Sequence, residues 1–248
     1  METSWNLKIF YPDSVATEEI EDFNRSYELW HRIWVETREE VTQGLPTPSD
    51  NFSRQSEILV LFSGQRAIGT ICHRYVDLRH TAIYKDTFFN PSLWPEGVLG
   101  QLPSLGNSCV LGSHIFIDPD FRKNSSGLST KNLLCALSFG HLNGTAPDVV
   151  LGMMRKDKNM HGVFYKSGAV TLHPDTHWYQ IPVDLVAFFP SKKAITVDPD
   201  FASEAGAIGA RCSKYGSNFF ERSSTHKLSK IVGRSNEGDL KKITQRAG

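Results

Sequence analysis

The stretch richest in chemistry runs Ile115-Phe116-Ile117-Asp118-Pro119-Asp120-Phe121-Arg122-Lys123-Asn124-Ser125-Ser126-Gly127. An apolar strand is stopped by Asp118-Pro119, a basic loop of small residues follows, and a helix is predicted from about Gly127 to Leu142. This order makes an anion cradle. The first N–H groups of a helix have no partner inside it, and the helix dipole adds roughly half a positive charge at that end. Arg122 and Lys123 add formal charge beside it, and small side chains at Ser125, Ser126 and Gly127 let a pyrophosphate approach the backbone closely. Arg122 and Lys123 would also suit a solvated turn; the helix start behind them is what favours phosphate contact.

The elements that must position this loop can be read on both sides of it. Leu7 to Tyr11 reads as a short strand, and a long helix is predicted from Thr17 to Glu40, with Phe23, Tyr27, Trp30, Ile33 and Trp34 on one face. Trp30 and Trp34 fit either a core or the wall of a tunnel. A loop from Thr42 to Ser56 leads to a hairpin of Glu57–Phe62 and Ala67–Leu78 around Ser63-Gly64-Gln65. Arg79 to Ser108 is broken by Pro91, Pro95 and Pro103 yet carries Phe88, Phe89, Leu93 and Trp94, so it is expected to pack onto the body. Cys109 to Ile117 and Val149 to Met153 read as strands, with the predicted helix between them. A helical turn or two over Asp157–Lys166 ends at Gly168, Ala169–Leu172 is extended, and Trp178 to Phe189 closes the core.

The 248 residues, with 40% hydrophobic and 22% charged, suffice for one sizeable globular domain, or at a stretch two small ones. Composition turns to Ser, Gly, Lys and Arg after Pro190. The expected organisation is therefore a domain over 1–190 and a basic, flexible appendage over 191–248. A formal net charge of zero argues against nucleic acid as partner, apart from a local contact through the tail. The scattered cysteines Cys72, Cys109, Cys135 and Cys212, with no leader-like N-terminus and no long apolar run, point to the cytoplasm with no membrane span. Neither Cys109 nor Cys135 has the partners of a nucleophile. His173 and His177, with His161 nearby, have Pro174 between them and no carboxylate to complete a set, so no metal is expected.

The apolar strand and basic loop resemble the pyrophosphate-binding motif of the GNAT acyltransferase superfamily, R/Q-x-x-G-x-G/A after V-x-P-x-x-R. Ile117, Pro119 and Arg122 hold the strand-end positions, and Arg122, Ser125 and Gly127 have the loop spacing, with Ser125 in place of the first glycine. Downstream, Asn159 and Tyr165 keep the spacing of that family's second motif. A long aromatic first helix and a long insertion before the fourth strand resemble its acyl-homoserine lactone synthase and N-acyl amino acid synthase branch. Those lactone synthases carry Glu-x-Ser-Arg on the fourth strand, where this chain has Leu111-Gly112-Ser113-His114. A relative with another amine acceptor is thus implied.

The resemblance implies an α/β fold, a mixed, mainly antiparallel sheet of about seven strands with helices on both faces. It implies a thioester of coenzyme A or an acyl carrier protein as co-substrate in a cleft between the fourth and fifth strands, no tightly bound cofactor, and a small-molecule amine as acceptor. Arg122, Lys123, Ser125, Ser126, Gly127 and Asn159 would hold the pantetheine-bearing group, and backbone N–H groups near Ile115, Phe116 and Ile117 its carbonyl oxygen. His114 would take the amine's proton, alone or through water, although a lone strand histidine is also a common structural residue. Tyr165 would protonate the departing sulfur or stand as a core tyrosine. The competing expectation is a catalytically silent protein of this fold that binds an acyl carrier or a lipid.

Overall fold

The structure is a computed structural model and describes residues 5–42, 50–122 and 129–215. Strand β1 (Trp5–Phe10) leads into the helix predicted from the aromatic spacing, α1 (Ile20–Thr42), and a short α2 (Asp50–Ser53) precedes the hairpin of β2 (Glu57–Ser63) and β3 (Arg66–Asp77). The aromatic insertion holds only short turns and α3 (Glu96–Leu99). Then come β4 (Ser108–Ile117), α4 (Thr130–Thr145), β5 (Val149–Arg155), α5 (Met160–Lys166), β6 (Val170–Trp178) and β7 (Ile181–Phe188). Helix α6 (Pro199–Gly209) and strand β8 (Ser213–Tyr215) end the described chain.

These strands form one eight-stranded sheet in the order β6-β7-β5-β4-β3-β2-β1-β8. Pairing is antiparallel except for β4 with β5 and β8 with β1. Alternation decides which side chain faces which helix. On β4 and β5, Cys109, Leu111, Val149 and Leu151 face the insertion, where Phe88, Phe89 and Trp94 cover them. Val110 and Val150 face the other way, onto Phe139 of α4 and Phe164 of α5. Helix α1 seats Trp30 on Phe10, Ile58, Val60 and Phe62. The insertion is therefore part of the core, as its aromatic content predicts.

The C-terminal expectation needs correcting. Residues beyond 190 are not all appendage: α6 buries Phe201, Ala205 and Ile208 against Leu133, Leu134 and Leu137 of α4, and β8 pairs in parallel with β1. The folded unit therefore continues to residue 215. The residues expected to be flexible from 216 to 248 lie outside the described ones.

Candidate active site

Parallel pairing of β4 with β5 runs from Cys109–Val149 to Gly112–Gly152 and stops there. Beyond it β4 stays with β3, and β5 stays with β7. The sheet is thus split along its middle. At the split β4 carries a bulge, in which His114 and Ile115 stand opposite Ile71 alone, between the pairs Cys72–Ser113 and Thr70–Phe116. His114 sits there at φ 54°, a left-handed conformation that a residue with a side chain adopts only where its surroundings impose it. Extra residues of this kind re-aim side chains at the edges of sites.

A cavity of about 750 Å³ opens at the split. Ser113, His114, Ile115 and Phe116 of β4 form one wall, and Met153, Met154 and Arg155 of β5 the other. It draws from both faces of the sheet: Trp34 of α1 and Phe88 of the insertion on one, Met160 of α5 on the other. Trp34 stacks on Trp178, ring centroids 5.8 Å apart and planes 14° from parallel, so the end of β6 closes the mouth over α1. The lining is mostly apolar and aromatic, suited to a hydrocarbon chain. Its charged residues are Arg38, Arg155 and the pair Arg74–Asp86, which lie 2.6 Å apart. Burial works to raise the Asp86 pKa, but the Arg74 guanidinium and the Phe88 N–H outweigh it and hold the carboxyl below its ordinary value.

His114 faces this cavity inside an aromatic enclosure, its ring centroid 5.1 Å from that of Trp34, 5.7 Å from Trp30 and 5.8 Å from Phe116. Nδ1 lies 2.8 Å from Ser113 Oγ. Burial, and secondarily the Arg74 charge, push its pKa down to about 4. The imidazole is therefore neutral at pH 7.

The other expected residues are spread around this centre. Ile115 and Ile117 pack towards α4, while Phe116 lies against α1. Arg122 is exposed at the end of a turn, and its carbonyl accepts the Thr130 N–H at 3.3 Å. Lys123, Ser125, Ser126 and Gly127 lie outside the described residues. The helix predicted from Gly127 begins at Thr130, because Ser129 caps it by accepting the Asn132 N–H. Asn159 precedes α5 at φ 52° and makes no side-chain cap. A Cβ at Gly162 would come within 2.7 Å of Asn159 Oδ1, so a larger residue there would require the Asn159 amide to turn away.

Tyr165 is not brought to His114. It lies off the cavity wall, 36% exposed, and its hydroxyl donates to Asp184 at 2.8 Å and meets Thr171 Oγ1 at 3.0 Å. Lys156 also reaches Asp184, at 3.0 Å. Burial, joined by the Asp184 carboxylate, raises the phenol pKa against the lowering effect of Thr171.

The fold also brings together residues with no shared sequence signal: Trp178, Arg74, Asp86 and the methionines of β5 and α5. A periodicity reading finds the first helix but not the strand end that stacks on it. On the α4 face lies a buried cluster of Glu57, His73, Tyr75, Ser138 and His141, equally invisible in the chain. Burial works to raise the Glu57 pKa, but hydrogen bonds from His141 and His73 hold it well below the carboxylate range. His173 and His177 lie on β6, a strand whose register shifts between His173 and Thr176, where Pro174 has no N–H to give the ladder. Burial pushes the thiols of Cys109 and Cys135 up, that of Cys135 to about 12, so neither supplies a thiolate at neutral pH.

Neither a family model nor a curated protein matches the sequence. Solved structures do match the fold. A CoA-dependent acyl-homoserine lactone synthase, BjaI, solved with SAM and isopentyl-CoA, superposes with a TM-score of 0.54 at 14% identity, over 87% of this chain and 96% of its own. The fold is that of the GNAT acyltransferases. The AHL synthase LasI is similar at TM-score 0.50 and 12% identity, over 79% of this chain and 98% of its own. FeeM, an N-acyl amino acid synthase from uncultured soil microbes, gives 0.49 and 14%, over 78% and 93%. The GNAT fold here holds one mixed, mainly antiparallel sheet with helices on both faces, one strand more than the seven expected. Among the described residues no helix is long and apolar enough to cross a membrane.

Proposed function

We propose that the chain is an N-acyltransferase that moves an acyl group from a pantetheine thioester to the amine of a small molecule such as an amino acid. The observation that carries this is the split between β4 and β5 beyond Gly112 and Gly152, opening onto an aromatic cavity. A pantetheine arm is an extended chain of amides, and the exposed strand edges offer it the backbone partners that the strands no longer give each other. The acyl chain would lie among Trp34, Phe88, Met153 and Trp178, and the phosphates would reach towards Arg122 and the start of α4.

With the donor so placed, backbone N–H groups of the Ile115–Ile117 segment would stabilise the oxyanion as the amine nitrogen attacks the thioester carbonyl. The nitrogen must shed a proton, and neutral His114 with Ser113 Oγ is the acceptor nearest the split. The carbon–sulfur bond then breaks and the thiolate is protonated; Tyr165 is proposed as that donor once its hydroxyl leaves Asp184. The donor is carried on coenzyme A or on an acyl carrier protein, and we place the enzyme in the cytoplasm with those thioesters. Native mass spectrometry after mixing with short- and long-chain acyl-coenzyme A and acyl carrier protein tests the reading. One acyl-pantetheine species per chain is expected, and binding of neither donor would overturn it. Tyr165→Phe should lower kcat by ~10²-fold or more with the fold intact; unchanged turnover removes the tyrosine from the mechanism.

One observation favours a second reading, a silent protein that holds an acyl chain. The Tyr165 hydroxyl is engaged by Asp184, off the cavity wall. Stable retention of an acyl thioester with no product from any amine would decide for it.

A further inference from the structure

Glu57, His73 and His141 take no part in the chemistry above and line no part of the cavity. Glu57 opens β2, His73 is its cross-strand partner on β3, and His141 lies in α4. His73 Nδ1 and His141 Nε2 each lie 2.8 Å from Glu57 Oε1, and the Tyr75 hydroxyl donates to that same oxygen at 2.8 Å. The Glu57 and His73 side chains are fully buried, and that of His141 is 9% exposed.

The arrangement is lopsided. Several donors crowd Oε1, while Oε2 of the same carboxylate is buried with no hydrogen-bond partner among the described residues. Leaving a buried carboxylate oxygen unpaired is costly, and native structures rarely do so without a reason. A cation between the three side chains would draw on both imidazole nitrogens and on the carboxylate, relieving the crowding and the orphan together. His73 is already braced for this, its Nε2 lying 2.9 Å from Ser138 Oγ. A ligating histidine almost always gives its second nitrogen's hydrogen to such an outer partner.

We propose that Glu57, His73 and His141 form a buried site for a divalent transition-metal ion of the zinc class. Two imidazoles and a carboxylate are a set that zinc takes, with the Tyr75 hydroxyl or a water for the fourth position. The ligand atoms all lie within 4.8 Å of one another, against roughly 3.3 Å on a tetrahedral zinc. Small side-chain rotations therefore bring the separations to that value, opening the 2.8 Å contacts on Oε1 slightly. The role is structural. The ion ties β2, β3 and α4 together, and His73 pairs with Gly112, the last β4 residue before the split. It would thus brace both the split and helix α4.

The test uses the full chain stripped with EDTA and titrated with Zn²⁺, and separately with Co²⁺ as a visible probe. One Zn²⁺ per chain that survives gel filtration, a raised Tm, and the intense bands of four-coordinate cobalt are expected. Glu57→Gln, which keeps the shape, and His141→Ala, at the most accessible ligand, should abolish that binding. Ser138→Ala should weaken it by about 10–100-fold. Absence of binding with an unchanged Tm, or equal binding by folded Glu57→Gln and His141→Ala, overturns the proposal. Should both variants fail to fold, the wild-type cobalt spectrum decides, since weak six-coordinate bands mean surface binding and overturn it as well.

Discussion

His114 shows how much one residue's setting can change its chemistry. Free imidazole titrates near 6.5; here burial and Arg74 take the value down to about 4. The sign follows from linkage. Above about pH 6.5 both folded and unfolded chains carry a neutral His114, and it adds nothing to the pH dependence. As pH falls through that value the unfolded chain takes up the proton first, so stability is lost down to about pH 4, by at most about 3 kcal/mol. His114→Gln cannot take up that proton in either state. Urea titrations of both proteins between pH 7 and pH 4 should therefore converge or cross, and parallel curves would refute the account. The acid limb of turnover should likewise fall nearer pH 4 than pH 6.5. At this scale the sequence named His114 but not its environment, because Trp30, Trp34, Arg74 and Phe116 come from separate elements.

Among the elements, the paired occurrence of Asp-Pro-Asp-Phe at 118 and 198 is instructive. Asp118 accepts the Asp120 N–H and Asp198 the Asp200 N–H, with proline at the first helical position in both. The same letters give the same cap. The first stops as a single turn, its Asp118 carboxylate held by Arg32 at 3.0 Å and Arg66 at 2.8 Å. The second propagates into α6, because Phe201, Ala205 and Ile208 recur at helical spacing and have α4 to cover them. The cap was thus the signal that could have revealed α6 in the sequence. Helix α4 ends less favourably, with Ala146 at φ 44°. Its exposure leaves room for change, and Ala146→Gly should stabilise by about 0.5–1 kcal/mol, raising Tm by ~1–4 °C in a thermal melt. A lowered Tm would mean the alanine is held by contacts other than its backbone.

For the molecule as a whole, the sheet and its two helical faces should unfold together, and α6 belongs to that unit. Phe201→Ala should cost about 3 kcal/mol in global urea unfolding with an unchanged m-value. A detached appendage would instead leave the midpoint where it was. The same coupling explains why the site depends on remote packing. On either side of the split between β4 and β5, α1 and the insertion pack on one face of the sheet and α4 and α5 on the other.

The sequence by itself determined the elements whose signal is local. Aromatic spacing gives α1, Ser63-Gly64-Gln65 gives the hairpin, and Asp118-Pro119 ends β4. Tertiary structure alone decided where these elements meet. Strand order, the parting of β4 from β5 at Gly112, the bulge that turns His114, and the Trp34–Trp178 stack all depend on contacts between distant parts of the chain. So do the Glu57–His73–His141 cluster and the pairing of β8 with β1. A three-residue strand has too few side chains to show a period, and a buried polar cluster has none. Each exists because the sheet brings its members within reach, which no window along the chain can register.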